Sequence, residues 1–187
     1  QGIGDRAARE LFNIYEEQFN LHPEKQDHRW RIEHAQVTHP DDLPRYAALG
    51  VIPGTQGIFA CSDGPWVLDR LGAERTKERG YIFRSMAESG ALIMNGTDPP
   101  VEEISPIASF HCSITRKLPD GSIFQPEQRL TREQALRSYT INNAYAAFEE
   151  DIKGSITPGK LADITVLSKD IMTVPEDEVP ETEIVYT

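Results

Sequence analysis

Apolar residues at positions 8, 11, 12, 15 and 19 recur at helical spacing, with Glu10, Glu16 and Glu17 on the opposite face. The opening Gln1-Gly-Ile-Gly therefore reads as the end of a strand that turns into an amphipathic helix from Asp5, with an acidic residue in its first turn. Residues 29–35 alternate and stop at Thr38-His-Pro-Asp-Asp42, which predicts a strand followed by a helix beginning near Asp41 or Asp42. Leu43, Tyr46, Ala47 and Leu49 form the inner stripe of that helix, and Gly50 ends it. Residues 51–56 are the next strand candidate, followed by an irregular stretch from Gly57 to Trp66. A helix around 82–89 closes at Gly90, and the nearly continuous apolar run 91–97 suits a strand buried on both faces.

Strand and helix alternate about four times, the signature of a parallel α/β architecture, either doubly wound or a (β/α)8 barrel. Thr131-Arg-Glu-Gln134 is a capping box, predicting one long helix through Ala135, Leu136, Tyr139, Ala144 and Phe148. After Lys153-Gly154 the texture changes to short β-like runs at 162–168 and 183–187, separated by a stretch rich in Pro, Glu and Asp. A domain change near Gly154 follows, dividing residues 1–153 from 154–187.

Composition narrows the class of partner. The 30 acidic against 19 basic residues give a net charge of −11, and the basic runs are interspersed with Glu, which argues against a nucleic-acid surface. No apolar run approaches the roughly 18 residues of a membrane span. Cys61 and Cys112 make neither a disulfide framework nor a thiolate metal site; they read as small buried apolar residues, with a single bridge between them left open. Gly2-Ile-Gly4 lacks the third glycine and the preceding strand of a dinucleotide-binding loop, which argues against a self-contained doubly wound nucleotide domain.

Polar residues fall at the C-terminal ends of three strand candidates: Glu33-His34, Gln56 and Asp98. Parallel α/β folds assemble their sites at that edge, and an imidazole and a carboxylate there both suit a divalent ion. The plainer reading of His34 is a hydrogen-bonded structural residue, and of Asp98 a turn or cap. His22, His28 and His39 lie in polar stretches that favour solvated or capping roles, whereas His111 sits in an apolar helical stretch and reads as packed. Phe59, Trp66, Tyr81 and Arg84 are candidates to line a pocket, with packing the plainer role for each.

Six segments appear in order: Ile3-Gly-Asp-Arg-Ala7, Arg31-Ile-Glu-His-Ala-Gln36, Ser62-Asp-Gly-Pro-Trp66, Asn95-Gly-Thr-Asp-Pro-Pro-Val101, Leu130-Thr-Arg-Glu-Gln-Ala-Leu136 and Lys153-Gly-Ser-Ile-Thr-Pro-Gly-Lys-Leu-Ala-Asp163. Together they resemble the C-terminal portion of the amidohydrolase superfamily, in its family 3 branch, which includes the N-substituted formamide deformylases. The resemblance implies the C-terminal half of a (β/α)8 barrel over residues 1–153. Residues 154–187 would then be part of a small composite β-sandwich.

The resemblance also implies a metal-dependent hydrolase of C–N bonds of the amide or formamide type, holding one or two divalent ions with zinc expected. By motif match His34 takes the sixth-strand ligand role, and Asp98 the eighth-strand role of metal ligand and catalytic proton shuttle. Gln1 occupies the position of a usual fifth-strand histidine ligand, and Phe59 stands where the family often has a histidine. These two departures raise an alternative, a catalytically silent relative that keeps the barrel as a binding protein. On the same basis the expected partners are a small amide-type substrate and a missing N-terminal part of the same protein, which would supply the remaining ligands. A homo-oligomer is compatible with this reading, substrate-binding residues are not assigned by it, and a cytoplasmic or exported location depends on residues upstream of Gln1.

Overall fold

The computed structural model describes residues 1–187. Its order of elements is α1 (Asp5–Leu21), β1 (Arg31–Glu33), α2 (Leu43–Leu49), β2 (Ile52–Thr55), α3 (Phe59–Ser62), α4 (Gly64–Leu71), α5 (Ala73–Arg79), α6 (Phe83–Glu88), β3 (Met94–Asn95), α7 (Pro106–Thr115), α8 (Arg132–Tyr139), α9 (Ile141–Ala146), β4 (Val166–Leu167) and β5 (Ile184–Tyr186). The fold is α/β, with a three-stranded sheet in the order β1-β2-β3 and a separate two-stranded sheet of β4 and β5.

The chain divides into two compact units. The first comprises residues 1–55 and 63–94; the second comprises 56–62 and 95–187. The change of texture at Gly154 falls inside the second unit.

In the first unit β1 and β2 run parallel, with Arg31, Ile32 and Glu33 opposite Ile52, Pro53 and Gly54. The connection between them is α2, preceded by a 3-10 turn at Pro40–Asp42 whose N-terminus is capped by His39, a polar capping role as its sequence context suggests. Gly50 ends α2 in the left-handed region at φ 62°, a position that costs glycine nothing. The expected inner stripe of α2 narrows to Tyr46, because a seven-residue helix presents only two turns to the core; Ala47 is exposed.

Tyr46 meets Phe12 of α1 edge to face, ring centres 4.7 Å apart, and both rings are fully buried. Beside them the buried carboxylate of Asp42 receives Arg9 at 2.8 Å and Arg45 at 3.2 Å, so its charge is compensated within the core. His28 differs from its expected solvated role: its ring stacks on Phe19 at 3.7 Å.

The stretch 57–66, expected to be irregular, is largely helical. Pro65 occupies the first turn of α4, where its missing N–H costs no helical hydrogen bond. The polar α5 carries no periodic apolar stripe, and only Thr76 is buried in it.

The second unit is built around α7, which packs against α8 and a 3-10 turn at Glu176–Glu181. Thr131 and Gln134 form the expected reciprocal capping box of α8. The single long helix expected beyond it is interrupted at Thr140, which leaves helical geometry at φ −122°, ψ −99°. Its hydroxyl donates to the Leu136 carbonyl at 2.8 Å, a local bond that competes with the helical ladder.

The two cysteines are buried, as their sequence context suggests, and the bridge left open between them is formed. Cys61 of α3 and Cys112 of α7 form a disulfide, their Cα atoms 6.1 Å apart, because the two helices pack together within this unit.

At the C-terminal end β4 pairs antiparallel with β5. Ile184, Val185 and Tyr186 are more than half exposed, and Ile156 and Leu161 are exposed too. No helix is long and apolar enough to cross a membrane.

Candidate functional site

His34 follows β1 directly, and its backbone N–H donates to Gly54 O of β2 at 2.7 Å, extending the parallel ladder by one step. Its side chain is 6% exposed. His34 and Ala35 both adopt left-handed backbone, with φ of 74° and 46°. Two consecutive non-glycine residues in this region are sterically costly, and such strain is held only where surrounding bonds over-determine it.

Those bonds are present on either side of the turn. Before it, β1 is locked to β2. After it, Gln36 O accepts from Tyr81 N at 2.6 Å, Val37 N donates to Ile3 O at 3.0 Å, and Thr38 N donates to Arg79 O at 2.9 Å. Gly2 N donates to Glu33 O at 2.7 Å, which brings the start of the chain alongside β1. Gln1 itself is exposed.

Gly54 leaves room for the Glu33 side chain on the neighbouring strand. A Cβ there would sit 2.3 Å from Glu33 Oε2. Glu33 is instead free to bend over the glycine and pair with Arg31 at 2.9 Å.

The chain beyond the turn carries a part-buried side-chain cluster. Tyr81 donates its hydroxyl to Asp63 Oδ2 at 2.5 Å, and Gln36 Nε2 donates to the same oxygen at 3.2 Å. Gln36 and Tyr81 are buried, and Tyr81 has left-handed backbone at φ 54°. The sequence placed Tyr81 among possible pocket residues and Gln36 and Asp63 only inside motifs. Nothing local links three positions so far apart; the left-handed backbone at Tyr81 is invisible to periodicity.

In the second unit, Asp98 is partly buried and left-handed at φ 56°, and its carbonyl accepts from Val101 N at 2.9 Å. A cis peptide joins Pro99 and Pro100 immediately after it. The turn reading of Asp98 thus holds for its backbone, which leaves its carboxylate available for other work.

Residues 56–62 are fastened in the second unit by several bonds. Gly57 N donates to Asn95 Oδ1 at 2.8 Å, Ile58 N donates to Ser109 Oγ at 3.0 Å, and Cys61 is bonded to Cys112. Phe59 is buried at 6% exposure, a packed ring. Trp66 and Arg84, the other pocket candidates, lie at the surface or half-exposed; Arg70 stacks over Trp66 at 5.9 Å and Arg84 pairs with Glu88 at 2.7 Å. His111 is half-buried, and burial followed by the nearby Lys117 lowers its pKa, in keeping with a packed neutral ring.

His34 belongs to the first unit and Asp98 to the second. Their donor chemistry, one imidazole and one carboxylate, suits a divalent ion such as zinc, whereas the neutral amide of Gln1 is a poor ligand. Within this chain no group of three His, Cys, Asp or Glu side chains is gathered about a common point. The residues present fit such an ion in kind.

The sequence model of the amidohydrolase family matches residues 2–187. The chain belongs to the amidohydrolase family. Among similar proteins, the N-substituted formamide deformylase of Arthrobacter pascens is 28% identical over 157 residues, covering 84% of this chain and 29% of its own. Protein LONG AFTER FAR-RED 3 of Arabidopsis thaliana is 35% identical over 167 residues, covering 89% of this chain and 28% of its own. The crystal structure of an uncharacterized metal-dependent hydrolase from Pyrococcus horikoshii OT3 superposes with a TM-score of 0.80 at 29% identity, over 94% of this chain and 34% of that one. The chain thus spans under a third of the length of these two curated relatives.

Proposed function

We propose that this chain is part of a metal-dependent hydrolase that cleaves a C–N bond of the amide or formamide type. The observation that carries the reading is His34: a buried imidazole at the C-terminal end of a parallel strand, on backbone held in a costly left-handed turn. Membership of the amidohydrolase family supports it.

In this reading His34 and Asp98 would each contribute a ligand to divalent metal, zinc in the first instance, as one or two ions. When bound, such an ion lowers the pKa of water and polarises the carbonyl under attack. Asp98 accepts a proton from the attacking water at its carboxylate and returns it to the leaving nitrogen. His34 would offer a ring nitrogen to the ion.

The reading includes a half-barrel in residues 1–153 and part of a β-sandwich in 154–187. The exposed apolar strand Ile184–Tyr186 supports a further segment of the same protein packing on it. That segment of the protein would also bring the remaining metal ligands.

Metal analysis and turnover of the full-length protein test the reading. The expected results are a bound divalent ion and chelator-sensitive hydrolysis within a panel of N-formyl and N-acyl amines. In Asp98→Asn, kcat is expected to fall by about 10²–10⁴-fold. Unchanged metal content and unchanged hydrolysis in that variant would overturn it.

Gln1 at a ligand position favours a second reading, a catalytically silent member that keeps the fold as a binding protein. Chelator-sensitive turnover on any member of the panel excludes it.

A further inference from the structure

We infer that Tyr81 and Asp63 are positioning residues that aim the imidazole of His34; the inference rests on the metal-binding reading above. His34 and Ala35 form a left-handed link between two hydrogen-bonded frames. One frame is β1 against β2, ending at His34 N to Gly54 O. The other is residues 36–38 against residues 79–81, where Val37 bridges Gly80 antiparallel.

The direction of the imidazole is set by the angle between those frames, since the link itself has no favourable conformation to fall into. Two backbone bonds, Tyr81 N to Gln36 O and Thr38 N to Arg79 O, hold the register of the second frame. A side-chain lock fixes its end nearest His34: Asp63 Oδ2 accepts from both Tyr81 Oη at 2.5 Å and Gln36 Nε2 at 3.2 Å.

One carboxylate oxygen therefore ties together both ends of the backbone bond from Tyr81 N to Gln36 O, itself 2.6 Å long. Gln36 lies two positions from His34, so a shift of its main chain is passed to the ring through a single intervening residue. A charge-assisted bond in a buried setting is stiffer and stronger than a neutral one. Asp63 opens α4 from the preceding position, and this gives the lock a rigid base. None of the three residues need touch the ion, and none is assigned a ligand role.

The test uses metal-free full-length protein. Zinc affinity is measured by isothermal titration, coordination by the visible absorption of the cobalt(II) form, and kcat and KM on the best substrate of the panel. Tyr81→Phe removes only the hydroxyl and is expected to weaken zinc binding about 10–100-fold. It is also expected to shift the cobalt absorption and to lower kcat while KM stays near the parent value.

Gln36→Ala, which opens the lock from its other end, is expected to show the same pattern. Zinc affinity within twofold of the parent in both variants, with an unshifted cobalt spectrum, would overturn the positioning role even if both melt at lower temperature. A parent protein that binds no zinc overturns the metal reading and this inference with it. A zinc-binding parent with unaltered variants overturns the inference alone.

Discussion

Asn143 brackets Asn95: its Nδ2 donates to the Asn95 carbonyl at 3.0 Å, and its Oδ1 accepts from the Asn95 N–H at 3.3 Å. The amide side chain takes the place of a neighbouring strand at the end of β3. Asn95 uses its own side chain to hold residues 56–62, through the Gly57 N–H, so the two asparagines form one relay three residues before Asp98.

Replacing Asn143 by Ala leaves the buried N–H and carbonyl of Asn95 without these partners. The expected loss is about 1–3 kcal/mol of unfolding free energy, measured by urea denaturation. A loss below about 0.5 kcal/mol would show that water replaces the bracket.

Gly57 is the point of closest approach in the second unit. A Cβ on it would stand 2.0 Å from Ser113 Oγ and 2.9 Å from the Ser109 carbonyl. The hydroxyl can rotate away; the backbone carbonyl cannot. Gly57→Ala is therefore expected to destabilise by about 1–3 kcal/mol, and adding Ser113→Ala to recover part of that loss and not all of it. Full recovery in the double variant would place the whole clash on the hydroxyl.

The Cys61–Cys112 disulfide closes a loop across 51 positions of sequence. Its removal in a Cys61→Ala, Cys112→Ala double variant is expected to cost about 2–4 kcal/mol. A reductant should lower the melting temperature of the parent and leave the double variant unchanged. Equal melting of parent and double variant without reductant would contradict the bridge.

Asp5 ties α1 to α5. Burial would raise its pKa, but hydrogen bonds from Arg75 and Arg79 outweigh that and hold it at about 2, below the ordinary 3.8. A depressed carboxylate contributes stability that is present above its unfolded pKa and is lost as pH falls through the folded one. Melting temperature should accordingly drop between pH 4 and pH 2, the window between those two values. Asp5→Asn should melt lower than the parent at pH 7 and show a smaller drop across that window. An identical acid profile in the variant would remove Asp5 from the account.

What was legible in the sequence was local. Helix α1 follows its apolar spacing from Asp5 onward, and the capping box at Thr131 and Gln134 forms as its residue types dictate. Strands β1 and β2 lie inside their predicted runs, shortened because only residues with a neighbouring backbone to bond join a ladder. Helices α3 and α5 leave no trace in periodicity because α3 is a single turn and α5 is polar, so neither carries an amphipathic stripe. The break at Thr140 is invisible to periodicity, because its side-chain bond to Leu136 leaves no mark there.

The candidate site divides in the same way. His34 and Asp98 stood out as polar residues ending apolar runs, and their family context named the chemistry. Their left-handed backbone did not, since φ at a non-glycine residue reflects what surrounds it.

By itself the sequence determined the α/β class, the first helix, the capped helix at Thr131 and the family, because each depends on residues within a turn or two of one another or on motifs in register. Only the tertiary structure decided that residues 56–62 join the second unit, that Cys61 meets Cys112, and that Gln36, Asp63 and Tyr81 share one carboxylate oxygen. These contacts join positions 18 to 51 residues apart. Such distances are closed by the packing of whole elements, which no local pattern of side chains encodes.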